Sequence, residues 1–511
     1  MKYPKINLLV FPALTLMNWS PLSVDAQPIK SDKPLNVLFI ASDDLNSDMN
    51  TFGDRYVKTP NLDRLAKKGI IFSRAYNQSP LCGPSRASIM TGYRPDKTQV
   101  HDLFAHFRDA LPNAVTIPQM FKNNGYYTCR IGKIFHAGVP SDIGKPGADD
   151  AASWTETYNP LGKDKTDEHK ITIVSKDMTN LGGALAYMAT EGSDDELTDG
   201  ISANMALKII RERNGRNTSA PARTKEQPFF MAVGFYRPHC PFVAPKKYFD
   251  MYPLNTIKLP ENPKTDWDNK PEAAKNFGKL FWGLNEQESK QIIQSYYASI
   301  SFMDAQVGKL IDGLEEMGLL DNTIIVFWSD QGYMLTHHGQ WEKQTLFEHT
   351  ATQPLLIYAP GVTKGENCRR IVETIDIYPT LAELSGLTPP ADLDGKSLVP
   401  LLKNPEMEWN YPAYTQQART INPGAPYGQY PYTFNPMLKT PDGKPASFKT
   451  IFGRSVRVER YRYTEWDGGN AGKELYDYET DPEEFVNHAN DPDYAKIKEE
   501  LAVKLHAVGV K

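Results

Sequence analysis

The chain has 511 residues, of which 40% are hydrophobic and 23% charged, with a formal net charge of −5. This composition excludes a disordered chain and gives no basic signature for nucleic acid. The length allows a sizeable core and more than one domain. Because the total charge is negative, any pocket for an anion must be built from locally clustered cations.

Residues 1–26 read as a secretory signal peptide. Lys2 and Lys5 form a positive start, and the apolar run from Ile6 to Trp19 is too short to span a bilayer comfortably. Val24-Asp25-Ala26 offers small residues for cleavage, and no cysteine follows to carry a lipid anchor. The expectation is an exported protein, periplasmic or secreted, with no membrane span. Four cysteines occur, Cys82, Cys129, Cys240 and Cys368, fewer than an exported domain held by bridges would carry. The sequence does not decide whether any of them pair.

Asn36 to Ala41 is a continuous apolar run, as expected of a strand buried on both faces. It stops at Ser42-Asp43-Asp44. Thr59-Pro60 then caps a helix that Gly69 ends. The next stretch, Ser79 to Pro95, contains Cys82-Gly83-Pro84-Ser85-Arg86 and Thr91-Gly92-Tyr93-Arg94. Pro84 suits a first helical position and Gly92 suits a stop, so a short helix starts just after Cys82. Its positive end points back at the cysteine and favours an anion there. Taken alone, one cysteine reads equally as a buried apolar residue or half a disulfide.

Further along, Ile117 to Asn124 reads as a helix and Tyr126 to Ile131 as a strand leading to Gly132-Lys133-Ile134-Phe135-His136. Residues 138–196 are polar and irregular, expected as long loops over a site. Thr198 to Arg213 has helical spacing. Phe229 to Gly234 is an apolar strand ending in Phe235-Tyr236-Arg237-Pro238-His239. A long helix covers Glu286 to Met317, with Ile293, Tyr297 and Ile300 on one face. Thr323 to Trp328 is a strand that ends in Ser329-Asp330-Gln331-Gly332, and Pro354 to Tyr358 is another. After about residue 400 come a Pro-, Tyr- and Gly-rich stretch (404–447), a hairpin around Arg454 to Thr464 and a final helix from Tyr494.

Alternating strands and helices predict an α/β fold with a mostly parallel sheet sandwiched by helices, followed by a smaller C-terminal α+β subdomain. In such a sheet ligands sit beyond the carboxyl ends of the strands. Asp43/Asp44, Lys133/His136, His239 and Asp330/Gln331 should therefore converge on one crevice. A lone Asp-Asp pair reads as a helix cap or solvated turn. Three carboxylates and an amide at two buried strand ends suit a hard cation, Ca²⁺ or Mg²⁺. Singly, His136, His239, His338 and Lys343 also carry bland structural readings.

The cysteine motif Cys82-Gly83-Pro84-Ser85-Arg86 with Thr91-Gly92-Tyr93-Arg94 resembles the signature of the type I sulfatases. The resemblance runs from about residue 34 to 485. It includes Asp43-Asp44, Gly132-Lys133, Asp330, Gly339-Gln340-Trp341 with Lys343, and Asp394-Gly395-Lys396-Ser397-Leu398. Within that family the chain is most similar to iduronate-2-sulfatase-like enzymes, through Gly132 to His136, Val233 to Phe242 and Arg460 to Trp466. Those enzymes often carry Asp-His, and other sulfatases Asp-Asn, where this chain has Asp330-Gln331.

The resemblance implies an alkaline-phosphatase-like catalytic domain over 27–440, a C-terminal subdomain over 441–511, and hydrolysis of a sulfate monoester. It implies conversion of Cys82 to 3-oxoalanine (Cα-formylglycine) by a formylglycine-generating or anaerobic sulfatase-maturating enzyme, leaving an odd number of thiols. Its implied Ca²⁺ ligands are Asp43, Asp44, residue 82, Asp330 and Gln331. Arg86 steadies the ionised diol, Lys133 and Lys343 bind sulfate, His239 protonates the departing oxygen, and His136 removes the second diol proton. His338 orients ligands or touches substrate, while His101 and Asp102 line a sugar subsite or a solvated loop. The implied substrate is a sulfated oligosaccharide or polysaccharide, such as a glycosaminoglycan uronate or an ulvan-type algal unit. Two other readings stand beside it: a phosphate or phosphonate monoester hydrolase on the same sheet, and a sulfated-glycan-binding protein whose cysteine is never converted.

Overall fold

Strand β1 (Asn36–Asp43) is the spine of the molecule, and all eight of its residues are buried. The computed structural model describes residues 34–53, 56–176, 178–214, 227–276, 280–421 and 449–508. The expected leader, residues 1–26, lies outside the described residues, and so do positions 422–448 of the Pro-, Tyr- and Gly-rich stretch.

The other strands of the central sheet are β2 (Ile70–Tyr76), β3 (Tyr127–Gly132), β4 (Glu156–Tyr158), β5 (Phe229–Pro238), β6 (Thr323–Ser329), β7 (Thr352–Tyr358), β8 (Glu366–Cys368) and β9 (Val372–Glu373). Their spatial order is β8-β2-β7-β6-β1-β5-β3-β4, with β9 also on β2. β1 runs parallel to β5 and β6, and β3 parallel to β5. β7 runs against both β2 and β6, which makes the sheet mixed. Both faces are covered, so the core strands read as unbroken apolar runs. Leu38 and Ile40 face one cluster, whose helices are α1 (Pro60–Ala66), α5 (Thr198–Arg213) and α6 (Glu286–Glu316). Val37, Phe39 and Ala41 face the other, with α2 (Cys82–Thr91), α3 (Ile117–Asn123) and α7 (Ile377–Leu384).

The stretch expected as loops, 138–196, is more ordered than its composition suggests. β4 extends the sheet beside β3. Thr172–Ile173 and Ala186–Thr190 form a three-stranded sheet with Phe242–Pro245. Thr172 and Ile173 are both exposed, so no apolar run marks them. A short helix, α4 (Lys163–Thr166), precedes α5.

The smaller sheet has the antiparallel order β10 (Ala413–Ile421), β11 (Lys449–Arg457), β12 (Tyr461–Trp466), β13 (Lys473–Asp477). It begins at Ala413, ahead of the stretch expected to open the subdomain. α8 (Ala495–His506) packs Leu501 and Leu505 on Val456, Tyr463 and Leu475. The opposite side docks on the chain that follows β2: Thr415 Oγ1 donates to the Asn77 carbonyl at 2.7 Å, and the Gln416 N–H donates to the Gln78 carbonyl at 2.9 Å. That contact lays the smaller sheet along the chain that leads into Cys82. Among the described residues, no helix is long and apolar enough to cross a membrane.

Candidate active site

The acidic residues arrive at the carboxyl ends of neighbouring strands, as the spacing predicts. Asp43 ends β1, and Asp44 follows at φ +60°. Asp330 follows β6, and its Oδ1 accepts the Asp44 N–H at 3.1 Å. Gly132, at φ +74°, ends β3, where a Cβ would come within 2.2 Å of the Gly234 carbonyl oxygen. Only glycine lets β3 and β5 close there, and this places Lys133 beside Asp43. Their Nζ–Oδ2 distance is 2.6 Å.

α2 supplies the cysteine. It spans Cys82–Thr91 and stops at Gly92, whose φ is +73°. Cys82 is itself the first helical residue, so Pro84 occupies the third position rather than the first. Its absent N–H still falls in the unpaired first turn. Every residue of α2 is buried. Arg86 projects under the site: its Nε lies 2.7 Å from Asp330 Oδ2, its Nη2 3.1 Å from Asp43 Oδ1, and its Nη1 donates to the Lys133 and Ile134 carbonyls at 2.9 Å. Ser85 Oγ donates to the Asp330 carbonyl.

Lys343 closes the ring from the chain that follows a two-stranded hairpin, Met334–Leu335 with Trp341–Glu342. Its Nζ lies 2.5 Å and 2.7 Å from the Asp44 carboxylate oxygens and 3.1 Å from the Cys82 sulfur. Asn276 holds that segment through the Trp341 and Lys343 carbonyls, at 2.5 Å and 3.0 Å. His239 Nε2 stands 3.6 Å from Asp44 Oδ2. His136 lies against the same cluster, with a buried Nδ1 that has no hydrogen-bond partner.

The electrostatics are those of a site built around fixed charges. Burial works against a charged Asp43, but Lys133, His239 and Arg86 outweigh it and hold the carboxyl well below its ordinary range. Burial pushes Asp44 up to about 6 against the pull of Lys343. Burial also raises Asp330, with Arg86 opposing. The Cys82 thiol is pushed up by burial, which Lys343 offsets only in part, so the sulfur stays protonated at neutral pH. Burial, then Lys133, lowers His136, and burial, then Lys343, lowers His239.

These residues fit a cation. Ligand atoms of Asp43, Asp44, Cys82 and Asp330 all lie within 4.8 Å of one another. Gln331 donates its Nε2 to Asp44 Oδ1 and to the Cys82 sulfur, the latter at 3.5 Å, while its Oε1 is buried with no partner. Turning that amide over brings a carbonyl oxygen to the carboxylates. Three carboxylates and an amide oxygen suit a hard ion such as Ca²⁺.

Three predicted residues lie outside this ring. His101 is edge-on to Phe452, ring centroids 5.0 Å apart. The Asp102 carboxylate accepts the Phe104 and Ala105 N–H groups at 2.8 Å, so it shapes its own loop. The loop nonetheless lies against the residue after Cys82, because a Cβ on Gly83 would meet the Asp102 carbonyl at 2.3 Å. His338 is not brought to the cluster. Its Nδ1 lies 3.1 Å from both oxygens of Asp266, and its ring stacks on Phe347 at 4.2 Å. All four cysteines are buried and unpaired.

Sequence reasoning missed Tyr296. The helical spacing points to Tyr297, but Tyr296 is fully buried and donates its hydroxyl to the Asp44 carbonyl at 2.8 Å. Asn276 was missed as well, since it acts from a loop with no periodic signal.

A sulfatase family model matches residues 35–387. A sulfatase of Formosa agariphila is 33% identical over 480 residues, covering 90% of this chain and 83% of that protein. Human iduronate 2-sulfatase is 30% identical over 533 residues, covering 92% and 94%. A solved protein in complex with its substrate D-glucosamine-2-N,6-O-disulfate is similar in fold, with a TM-score of 0.69 at 22% identity over 93% of this chain and 97% of the other. The phosphonate monoester hydrolase of Agrobacterium radiobacter is similar at a TM-score of 0.70 and 23% identity, over 93% and 95%. The matched region carries every residue of the ring just described, and the chain belongs to the sulfatase family: it is a sulfuric ester hydrolase.

Proposed function

We propose that the chain removes sulfate from a carbohydrate sulfate ester, using a formylglycine made from Cys82 and one bound Ca²⁺. One observation carries this reading: the Cys82 sulfur, the Asp44 carboxylate and the Lys343 ammonium share a buried hollow at the start of α2. Asp43, Asp44, Asp330 and the Gln331 Oε1 would hold the cation, which supplies positive charge against a sulfate oxygen. Converted, residue 82 offers a carbon bearing two hydroxyls, one to attack sulfur and one to expel sulfate as the carbonyl re-forms.

The chain's own groups do the rest. Arg86 binds two of the carboxylates and fixes them in place. Lys133 and Lys343 offer ammonium groups to the sulfate oxygens, where charge grows as the S–O bond breaks. His239 gives a proton to the departing sugar oxygen, and His136 accepts one from residue 82. His101 and Asp102 line the approach for the sugar. Residues 1–26 direct export, and a formylglycine-generating or anaerobic maturating enzyme performs the conversion.

The relatives support the choice of sugar class. Similarity to human iduronate 2-sulfatase over most of both chains supports a uronate 2-sulfate, and the glucosamine disulfate complex shows a sulfated sugar on this fold. A panel of defined sulfated oligosaccharides, assayed beside an aryl phosphate and a phosphonate monoester, tests the reading. Sulfate release from a uronate or hexosamine sulfate is expected. Faster turnover of the phosphonate ester would overturn it.

A further inference from the structure

The end of β5 carries a buried polar network with no part in the chemistry above. Arg237 is 1% exposed and Asp164 2%. Arg237 Nη2 lies 2.9 Å from Asp164 Oδ2. Its Nη1 donates to two carbonyls, that of His239 at 3.0 Å and that of Pro241 at 2.6 Å. Between them, the Cys240 carbonyl lies 2.5 Å from His239 Nδ1. One guanidinium thus pins the peptide groups on both sides of the one that anchors the imidazole.

The anchor is itself fixed. Asp164 Oδ1 accepts the Thr198 N–H at 2.9 Å and the Thr198 hydroxyl at 2.6 Å, at the start of α5. Asp199 accepts the Tyr236 and Arg237 N–H groups at 2.9 Å and 3.0 Å. Ser42 Oγ, next to Asp43, donates to the Arg237 carbonyl at 2.8 Å. With Nδ1 bonded to a carbonyl, the ring directs Nε2 toward Asp44, 3.6 Å away.

A buried arginine is a costly way to fill space. An apolar side chain of similar volume would fill it without the desolvation of a charge. What the guanidinium adds is a planar fork that spans several acceptors in fixed directions, which an ammonium does not. We propose that Arg237, held by Asp164, is a positioning residue that aims the His239 imidazole at the oxygen of the departing alcohol. This rests on the reading of His239 as the proton donor. In that step an oxygen of residue 82 bonds to sulfur and the ester S–O bond breaks, its electron pair staying on the leaving oxygen. The imidazolium, favoured by the anionic sulfate beside it, gives its Nε2 proton to that oxygen and keeps the Nδ1 proton on the Cys240 carbonyl. A good leaving group departs as a stable anion and gains little from the proton. A poor one depends on it, and general acid help is typically worth about 10²–10⁴-fold.

The test is a leaving-group series of 4-nitrophenyl, phenyl and 4-methoxyphenyl sulfate, with converted, Ca²⁺-loaded wild type, Arg237→Lys, Asp164→Asn and His239→Ala. Arg237→Lys is expected to turn over 4-nitrophenyl sulfate within about 3-fold of wild type, with unchanged KM, and to lose about 10²-fold in kcat on the 4-methoxy ester. Asp164→Asn should move the same way by a smaller factor, and it serves if the lysine variant does not fold. A loss equal across the series in both variants overturns the proposal, since that is what a loosened fold would give. His239→Ala separates the two readings. If it steepens the leaving-group dependence and Arg237→Lys does not, the positioning role alone is wrong. If His239→Ala leaves the dependence unchanged, the proton-donor reading fails and the proposal with it.

Discussion

The Lys343 ammonium stands 3.1 Å from the Cys82 sulfur while it holds both oxygens of Asp44. A permanent cation therefore bridges residue 82, the proposed nucleophile, and a carboxylate of the proposed cation site. Even so, burial keeps the thiol protonated. A protonated thiol at the mouth of a helix is a poor nucleophile, in line with the proposal that residue 82 acts in a converted form.

Cys82→Ala should give a folded, inactive protein. The side chain is small, and α2 is built by packing of its other residues. The expected loss in kcat is about 10⁴-fold or more, as for removal of a covalent nucleophile. Thermal unfolding and a sulfate-release assay check the two halves separately.

Lys343→Met should lower kcat by about 10²–10³-fold, the usual effect of removing a group that stabilises developing charge. It also leaves Asp44 without its partner in a buried place. In a chelator that should cost about 3–5 kcal/mol. In excess Ca²⁺ the cost should shrink, because the ion compensates the same carboxylate. Melting curves of the variant with and without Ca²⁺ measure the difference.

The cation should stabilise the fold in a pH-dependent way. At 100 times its Kd a bound ligand adds about 2.7 kcal/mol, visible as a rise in Tm. Asp44 has an ordinary value of 3.8 and is pushed up to about 6 by burial, against Lys343. The metal-free folded state therefore holds that proton more tightly than the unfolded chain. The contribution of Asp44 to stability should fall as pH rises from about 4 to about 6 and level off above that. Ca²⁺ must displace the proton, so its affinity should weaken below pH of about 6, with proton release on binding. Calorimetric titration in two buffers of different ionisation heat measures that release.

Arg462→Leu should destabilise the protein without changing Ca²⁺ affinity. Arg462 and Glu484 are each 1% exposed, with Nε and Oε1 2.9 Å apart, and Arg462 also reaches Glu348 at the seam between the two sheets. Breaking a buried pair of this kind costs about 3–5 kcal/mol. Chemical denaturation with a Ca²⁺ titration of the native variant checks both statements.

The parts of the fold legible from sequence were those buried on both faces. β1, β5 and β6 stand out because every residue packs, so the apolar run is unbroken. β2 does not, because Ser73 and Arg74 in its middle are only half-buried. The reversed direction of β7 has no local signal at all, since its residues pack alike either way. In the site, the acids and Lys133 were readable as abrupt polar ends of apolar strands. Tyr296 was not, because one residue of helical phase separates it from Tyr297. His338 sits beside Trp341 in the chain, but its fate is set by Asp266, 72 positions away. The grip of Arg237 depends on the path of the turn at 239–241, which composition does not encode.

The central claim is that residue 82 works as a formylglycine. Conversion removes about 18 Da from the peptide that carries it. Mass spectrometry of that peptide, across preparations made with and without a maturating enzyme, should show sulfate-ester turnover rising in proportion to the converted fraction. Full turnover by a preparation whose residue 82 is entirely unconverted thiol would contradict the account.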